Sequence, residues 1–221
     1  MAAVVGTEAA AGAGSRPGVG VREDRKAATR QQIQRATLDL IEDQGLEAVT
    51  VGRIAERAGI SERTFFRYFG SKEAAAVPGQ ADLTAALVGA ELPPGPPGRI
   101  LQELTSVSRA RFAAEVEHYE FRRISRVLLQ EPKLLQVVTR QELDLVEALS
   151  ASLVERGLLS PLRALLVAEM VACTWRVAWQ CFAREEAAGR PADPLDLFEA
   201  AVADLAEIAA GAGPAGRQPQ S

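Results

Sequence analysis

Histidine occurs once, at position 118, and cysteine only twice, at 173 and 181. No His/Cys/Asp group therefore has the spacing of a metal site, and no cofactor is implied. No nucleophile stands near a base and no glycine-rich loop could cradle a phosphate, which leaves little for an all-α enzyme to work with. The two cysteines lie eight residues apart in one helical stretch, about 12 Å along its axis. A disulfide needs Cα atoms within about 7 Å, so they cannot pair within the chain, and the expected compartment is the reducing cytoplasm. Long hydrophobic runs are missing too: the most apolar stretch, Ala164 to Ala183, is interrupted by Glu169, Arg176 and Gln180. It reads as a buried helix rather than a membrane span. Only two strand-like alternations occur, so the expected class is all-α. The first twenty residues have no basic start and no sustained apolar run, so they read as a disordered tail (residues 1–21) rather than a signal peptide. Residues 211–221 read as a second tail.

What is present is unevenly charged. The formal net charge is −4. Residues 22–73 hold ten Lys/Arg against nine Asp/Glu, and residues 74–221 hold fourteen against nineteen. Within the first group Arg22, Arg25, Lys26, Arg30 and Arg35 lead into a helix, a basic cluster suited to phosphate or simply to solvent.

Residues 50–69 carry the most specific signal. Val51, Ile54, Ala55 and Ala58 recur at i, i+3, i+4 and i+7, one apolar stripe on a short helix. Thr50 stands at the N-cap position. Gly59 suits the left-handed residue that ends such a helix, and Ser61 caps a second helix two residues later. At about 100° per residue, Arg63, Thr64, Arg67 and Tyr68 fall within an arc of roughly 140°, with Phe65, Phe66 and Phe69 assigned to the other side. Upstream, Ile33, Ala36, Thr37, Leu40 and Ile41 form an amphipathic helix that ends at Gly45. Together these make a three-helix unit around a helix-turn-helix, whose second helix fits a major groove about 12 Å wide.

From about Ala27 to Ala75 the chain resembles the TetR family of transcriptional regulators. The resemblance rests on T-R-Q-Q-I, G-L-E-A-V-T-V-G-R-I-A and A-G-I-S-E-R-T-F-F-R-Y-F-G-S-K-E, held without a gap over about a quarter of the chain. It implies a DNA-binding domain over residues 22–75 and a helical effector-binding and dimerisation domain over 76–210. Phe66 departs from the family pattern, in which many members carry a phosphate-contacting tyrosine. Pro78 departs as well, breaking the fourth helix where it should continue. The candidate DNA contacts are Arg25, Arg30, Thr50, Ser61, Glu62, Arg63, Thr64, Arg67, Tyr68 and Lys72. Arg63 and Arg67 are suited to base edges and Thr50, Tyr68 and Lys72 to the backbone. Glu62 suits either a cytosine or the start of its own helix.

Beyond residue 92, Pro93-Pro94-Gly95-Pro96-Pro97-Gly98 must interrupt any helix. Helices are expected from about Gln80 to Glu91, from about Ile100, from His118 to Leu129, Pro132 to Glu155, Pro161 to Glu186 and Pro194 to Ala210. Pro132, Pro161 and Pro194 sit in first turns, where proline is tolerated. The family resemblance implies that the helices at about 161–186 and 194–210 pair with their copies in a homodimer. It also implies a small apolar or amphipathic effector, with Trp175 and Trp179, four residues apart, joined by Phe112 and Tyr119 as pocket candidates. An aromatic stripe at helical spacing is more often core than binding site. Arg122 and Arg123 could greet an anionic head group or form a solvated face, and His118 belongs to the surface or a pocket rim. The overall expectation is a homodimeric repressor released from a palindromic DNA operator by an effector. The rivals are a constitutive dimeric DNA-binding protein without an effector and an all-α enzyme.

Overall fold

The computed structural model describes residues 17–77, 80–118 and 120–211. The order is α1 (Pro17–Gln44), a 3₁₀ turn (Leu46–Ala48), α2 (Val51–Arg57), α3 (Glu62–Tyr68), α4 (Lys72–Ala76), α5 (Ala81–Val88), α6 (Pro97–Val116), α7 (Phe121–Gln130), α8 (Pro132–Glu155), α9 (Pro161–Ala187) and α10 (Pro194–Gly211). Among the described residues there is no strand, and no helix is long and apolar enough to cross a membrane. Helix α1 begins at Pro17, so residues 17–21 are helical rather than part of a tail. Proline opens a helix without losing a needed donor, and each added residue then gains a backbone hydrogen bond.

The first three helices close a small core because their apolar positions coincide. Ile33, Leu40 and Ile41 from α1, Ile54 and Ala55 from α2, and Phe65 and Phe69 from the α3 end are all buried. Thr37 shares that face and satisfies its hydroxyl by donating to the Ile33 carbonyl at 2.8 Å. Each short helix starts on a side-chain cap: Thr50 accepts from Arg53 N, Ser61 from Thr64 N and Ser71 from Ala74 N. The turn between α2 and α3 passes through Gly59 at φ +63°, where a Cβ would strain the backbone.

Helix α4 ends at Ala76 and α5 starts at Ala81. The expected break falls in this gap, although Pro78 itself lies outside the described residues, as do residues 1–16 and 212–221. Prolines open α6, α8 and α9 at their first or second positions. In the C-terminal domain α9 is the central helix, packed along α8 and α10 and also against α6 and α7. Its core is an aromatic cluster. Phe112 meets Trp175 edge-on at 4.9 Å, Phe121 edge-on at 5.9 Å and Phe198 in a stack at 5.1 Å. Pairs of this kind add about 0.5–1.5 kcal/mol each beyond the area they bury.

Candidate DNA-binding face and inner cavity

Helix α3 presents an exposed polar edge. Ser61, Glu62, Arg63 and Arg67 are exposed, while Thr64 and Tyr68 are half-buried. The Arg67 guanidinium lies over the Tyr68 ring at 5.3 Å from its centre, which orients both side chains. Thr64 and Ser61 share a hydrogen bond between hydroxyls at 3.0 Å. Glu62 leans back towards α2: its Oε1 lies 3.0 Å from where a Cβ on Gly52 would stand. That places the carboxylate beside the positive end of α2, so its charge favours a helix start other than its own.

Phe66 differs from the expected arrangement. It is 55% exposed, not packed inside, and meets Phe65 edge-on at 5.5 Å. The helical wheel explains this: Phe66 lies about 60° from Arg63, on the flank of the polar arc, whereas Phe65 and Phe69 lie near its opposite side.

Three candidate phosphate contacts already have work inside the fold. Lys72 donates to the Leu46 carbonyl at 2.7 Å and the Val49 carbonyl at 2.9 Å, tying α4 to the 3₁₀ turn. An ammonium has three donors, so one is left for an outside acceptor. Arg30 donates to the Tyr68 carbonyl at 3.5 Å and lies over the Phe69 ring at 5.0 Å, holding the end of α3 against α1. Thr50 uses its oxygen lone pair as the cap of α2, which leaves its O–H to donate. Arg25 is exposed near the start of α1.

Residues 33–74 match the family model described as bacterial regulatory proteins, tetR family. The N-terminal domain is a TetR-family helix-turn-helix DNA-binding domain. Over 60 residues the chain is 45% identical to the HTH-type transcriptional regulator TcmR of Streptomyces glaucescens, covering 27% of this chain and 26% of that one. Over 44 residues it is 48% identical to the HTH-type transcriptional regulator BetI 1 of Chromohalobacter salexigens, covering 20% of this chain and 22% of that one. The chain thus spans about a quarter of the length of the curated relatives it matches. The crystal structure of NalD from Pseudomonas aeruginosa, a secondary repressor of a multidrug efflux pump, extends the likeness in fold to the C-terminal helices. Its TM-score is 0.50 at 14% identity, covering 82% of this chain and 96% of that chain.

Behind this TetR-family domain lies a cavity of about 530 Å³. Its walls come from both domains. Helix α1 supplies Arg30 and Gln34 among others, α5 supplies Leu83 and Leu87, and α6 to α9 supply most of the rest, including Ile124, Leu128, Leu145, Trp175 and Trp179. The indole N–H of Trp179 donates to Ser125 at 3.1 Å, so that ring is fixed in place. Trp175 is held by its edge contact with Phe112 and is both core and wall.

Of the pocket residues expected from the sequence, Trp175 and Trp179 line this cavity and Phe112 does not. Phe112 is fully buried one layer behind, in the aromatic cluster. Tyr119 lies outside the described residues. Arg122 and Arg123 face away from the cavity. Arg122 pairs with Glu186 at 2.6 Å and lies over Phe182. Arg123 is the centre of an ion cluster, reaching Glu42 at 2.6 Å, Asp39 at 2.7 Å and Glu120 at 3.0 Å. Asp39 and Glu42 belong to α1, so Arg123 clamps the two domains together. The hydrogen bond that Arg123 donates to Glu42 raises the guanidinium pKa above its already high value, against a smaller opposing effect of burial. Glu131 reinforces the same junction by accepting from the Leu46 amide at 2.9 Å.

The polar residues on the cavity wall carry little sequence signal. Ser108, Arg111 and Glu115 sit at i, i+3 and i+7 on α6, and Gln141 and Glu142 stand among apolar residues of α8. Such spacing is the only clue to a shared inward face. Glu142 pairs with Arg176 at 3.0 Å, and burial raises its carboxyl pKa more than that arginine lowers it. Desolvation by the wall pushes Glu115 up to about 7, although the cavity leaves its side chain open to solvent. Among the described residues no His/Cys/Asp/Glu group could hold a metal ion.

Proposed function

We propose that the chain is a homodimeric transcriptional repressor that leaves its operator when a small molecule occupies the inner cavity. The observation that carries this reading is the shared wall. Arg30 and Gln34 of α1 line the cavity, and Arg30 also holds the carbonyl at the end of the DNA-facing helix α3. A ligand shifts an equilibrium only through differential affinity for two states, and a cavity lined by both domains changes with the angle between them.

On DNA, Arg63 and Arg67 read base edges in the major groove, each bidentate grip on a guanine contributing about 1–3 kcal/mol of discrimination. Thr50, Tyr68 and Lys72 fix the register through phosphates. Dimerisation uses α9 and α10, whose outer faces expose Leu162, Leu165, Leu166, Val177 and Ile208. Apolar side chains gathered in this way mark an interaction surface. Two copies related by a two-fold axis then meet half-sites about 34–36 Å apart.

Sedimentation velocity of the full chain, alone and with a palindromic duplex, tests this reading. A dimer that binds one duplex as a unit is expected. A monomer that binds DNA with no change of mass on dilution would contradict it.

A further inference from the structure

Four buried side-chain polar atoms among the described residues lack a hydrogen-bond partner: Gln34 Nε2, Gln44 Nε2, Ser108 Oγ and Gln141 Oε1. Three of the four, all but Gln44, belong to residues that line the cavity. Each such atom costs about 1–3 kcal/mol when it has no partner, so their collection around one cavity calls for a function. Ser108 is fully buried, on the inner face of α6. Gln34 comes from α1 in the DNA-binding domain and Gln141 from α8 in the other domain.

The fixed charges on the same wall are already matched or exposed. Arg176 pairs with Glu142, Glu120 pairs with Arg35 and Arg123, and Arg30 is engaged by the Tyr68 carbonyl and the Phe69 ring. Asp82, Arg111 and His118 are exposed. Glu115 is exposed as well. What is buried without a partner is neutral and hydrogen-bonding, next to the apolar and aromatic surface of Leu83, Leu128, Leu145, Trp175 and Trp179.

Resting on the effector reading above, we infer that the cavity takes an uncharged amphipathic molecule whose hydrogen-bonding groups are met by Gln34, Ser108 and Gln141. An apolar body lies along the tryptophans while hydroxyl, carbonyl or amide groups satisfy the three side chains. Each glutamine amide can turn either its donor or its acceptor to the ligand. Because Gln34 stands on α1, such a molecule bonds the DNA-binding domain directly to the C-terminal domain, and Gln34 is the side chain through which occupancy reaches α1.

Both tryptophans of the chain line the cavity, so intrinsic fluorescence of the full-length protein reports its occupancy. The probes are 1-decanol, decanoate and decyltrimethylammonium, which share one tail with neutral, anionic and cationic heads, together with testosterone as a rigid uncharged probe. Saturable responses to 1-decanol or testosterone at least about tenfold tighter than to either ion are expected, a difference of about 1.4 kcal/mol. Ser108→Ala, Gln141→Leu and Gln34→Leu should each weaken the better neutral probe by about threefold to tenfold, the range of one hydrogen bond. Their melting temperatures should not fall, since each substitution removes an unpaired polar atom.

Tighter binding of either ion would overturn the inference while leaving the effector reading intact. So would unchanged or tightened binding in all three variants, which would mean that water or nothing meets those atoms. A response that saturates with none of the four probes would overturn the effector reading as well. A Gln34→Leu protein that still responds to the neutral probe in its DNA affinity as the wild type does would remove Gln34 from the coupling.

Discussion

The two domains are built on opposite principles. The N-terminal three-helix unit is filled: Phe65 and Ile54 are fully buried, and its candidate functional groups stand outside on the exposed edge of α3. The C-terminal domain is hollow, and its candidate functional groups line about 530 Å³ of space, Ser108 and Gln141 with a polar atom that has no partner. A filled domain holds a rigid reading surface in register, which base recognition requires. A hollow domain carries a standing energetic cost that a ligand can relieve, and that relief is a source of differential affinity. The junction between them carries an ion cluster centred on Arg123, which reaches Asp39 and Glu42 of α1.

Substitutions separate these roles, beginning with the largest effect. Changing both Arg63 and Arg67 to alanine should lower specific DNA affinity by about 4 kcal/mol, close to a thousandfold, with mass and helicity unchanged. Electrophoretic mobility shift at fixed salt reads the loss, and affinity within threefold of the wild type would remove these residues from base reading. Phe65→Ala should cost about 3–5 kcal/mol of folding stability in urea, because a filled core cannot collapse around the void. A cost below about 1 kcal/mol would mean that the first domain is not closely packed.

Arg123→Met should cost about 3 kcal/mol, because Glu120 and its α1 partners lose the cation that holds them. Its unfolding should also split into two transitions, one for each domain. A single sharp transition at the wild-type midpoint would show that the ion cluster contributes nothing to the junction.

The smallest effect concerns pH. Glu115 titrates at about 7 in the fold against 4.5 for an ordinary glutamate. A raised carboxyl pKa means that the folded state disfavours the charged form. The loss of stability from this residue is therefore absent below pH 4.5, grows as pH rises, and is complete above pH 7. Glu115→Gln should match the wild type in melting temperature near pH 4.5 and exceed it at pH 8. Equal melting temperatures at both pH values would show that the cavity wall does not desolvate this carboxyl.

The same contrast explains what was legible in the sequence. The reading surface is local: Thr50, Gly59 and Ser61 punctuate two short helices, and helical spacing alone gathers Arg63, Thr64, Arg67 and Tyr68 on one edge. The starts of α8, α9 and α10 were equally legible, because Pro132, Pro161 and Pro194 open helices where the sequence places them, whereas α6 and α7 start at Pro97 and Phe121 rather than near Ile100 and His118. The cavity was not legible. It is assembled from α1, α5, α6, α7, α8 and α9, so no single period reveals it. Phe112 and Trp175 have the same chemistry, yet one is core and the other also wall, and only tertiary packing separates them. Arg123 looks like a solvated arginine until α1 brings Asp39 and Glu42 across a gap of more than eighty residues.

The most direct test is selection of the full-length protein against random-sequence duplex DNA, with the Arg63→Ala, Arg67→Ala double variant as control. Enrichment of a two-fold symmetric site, with guanines in each half-site and lost in the double variant, is the predicted result. Recovery of no preferred sequence, with binding that disappears steeply as salt rises, would contradict it and leave only non-specific attraction to phosphates.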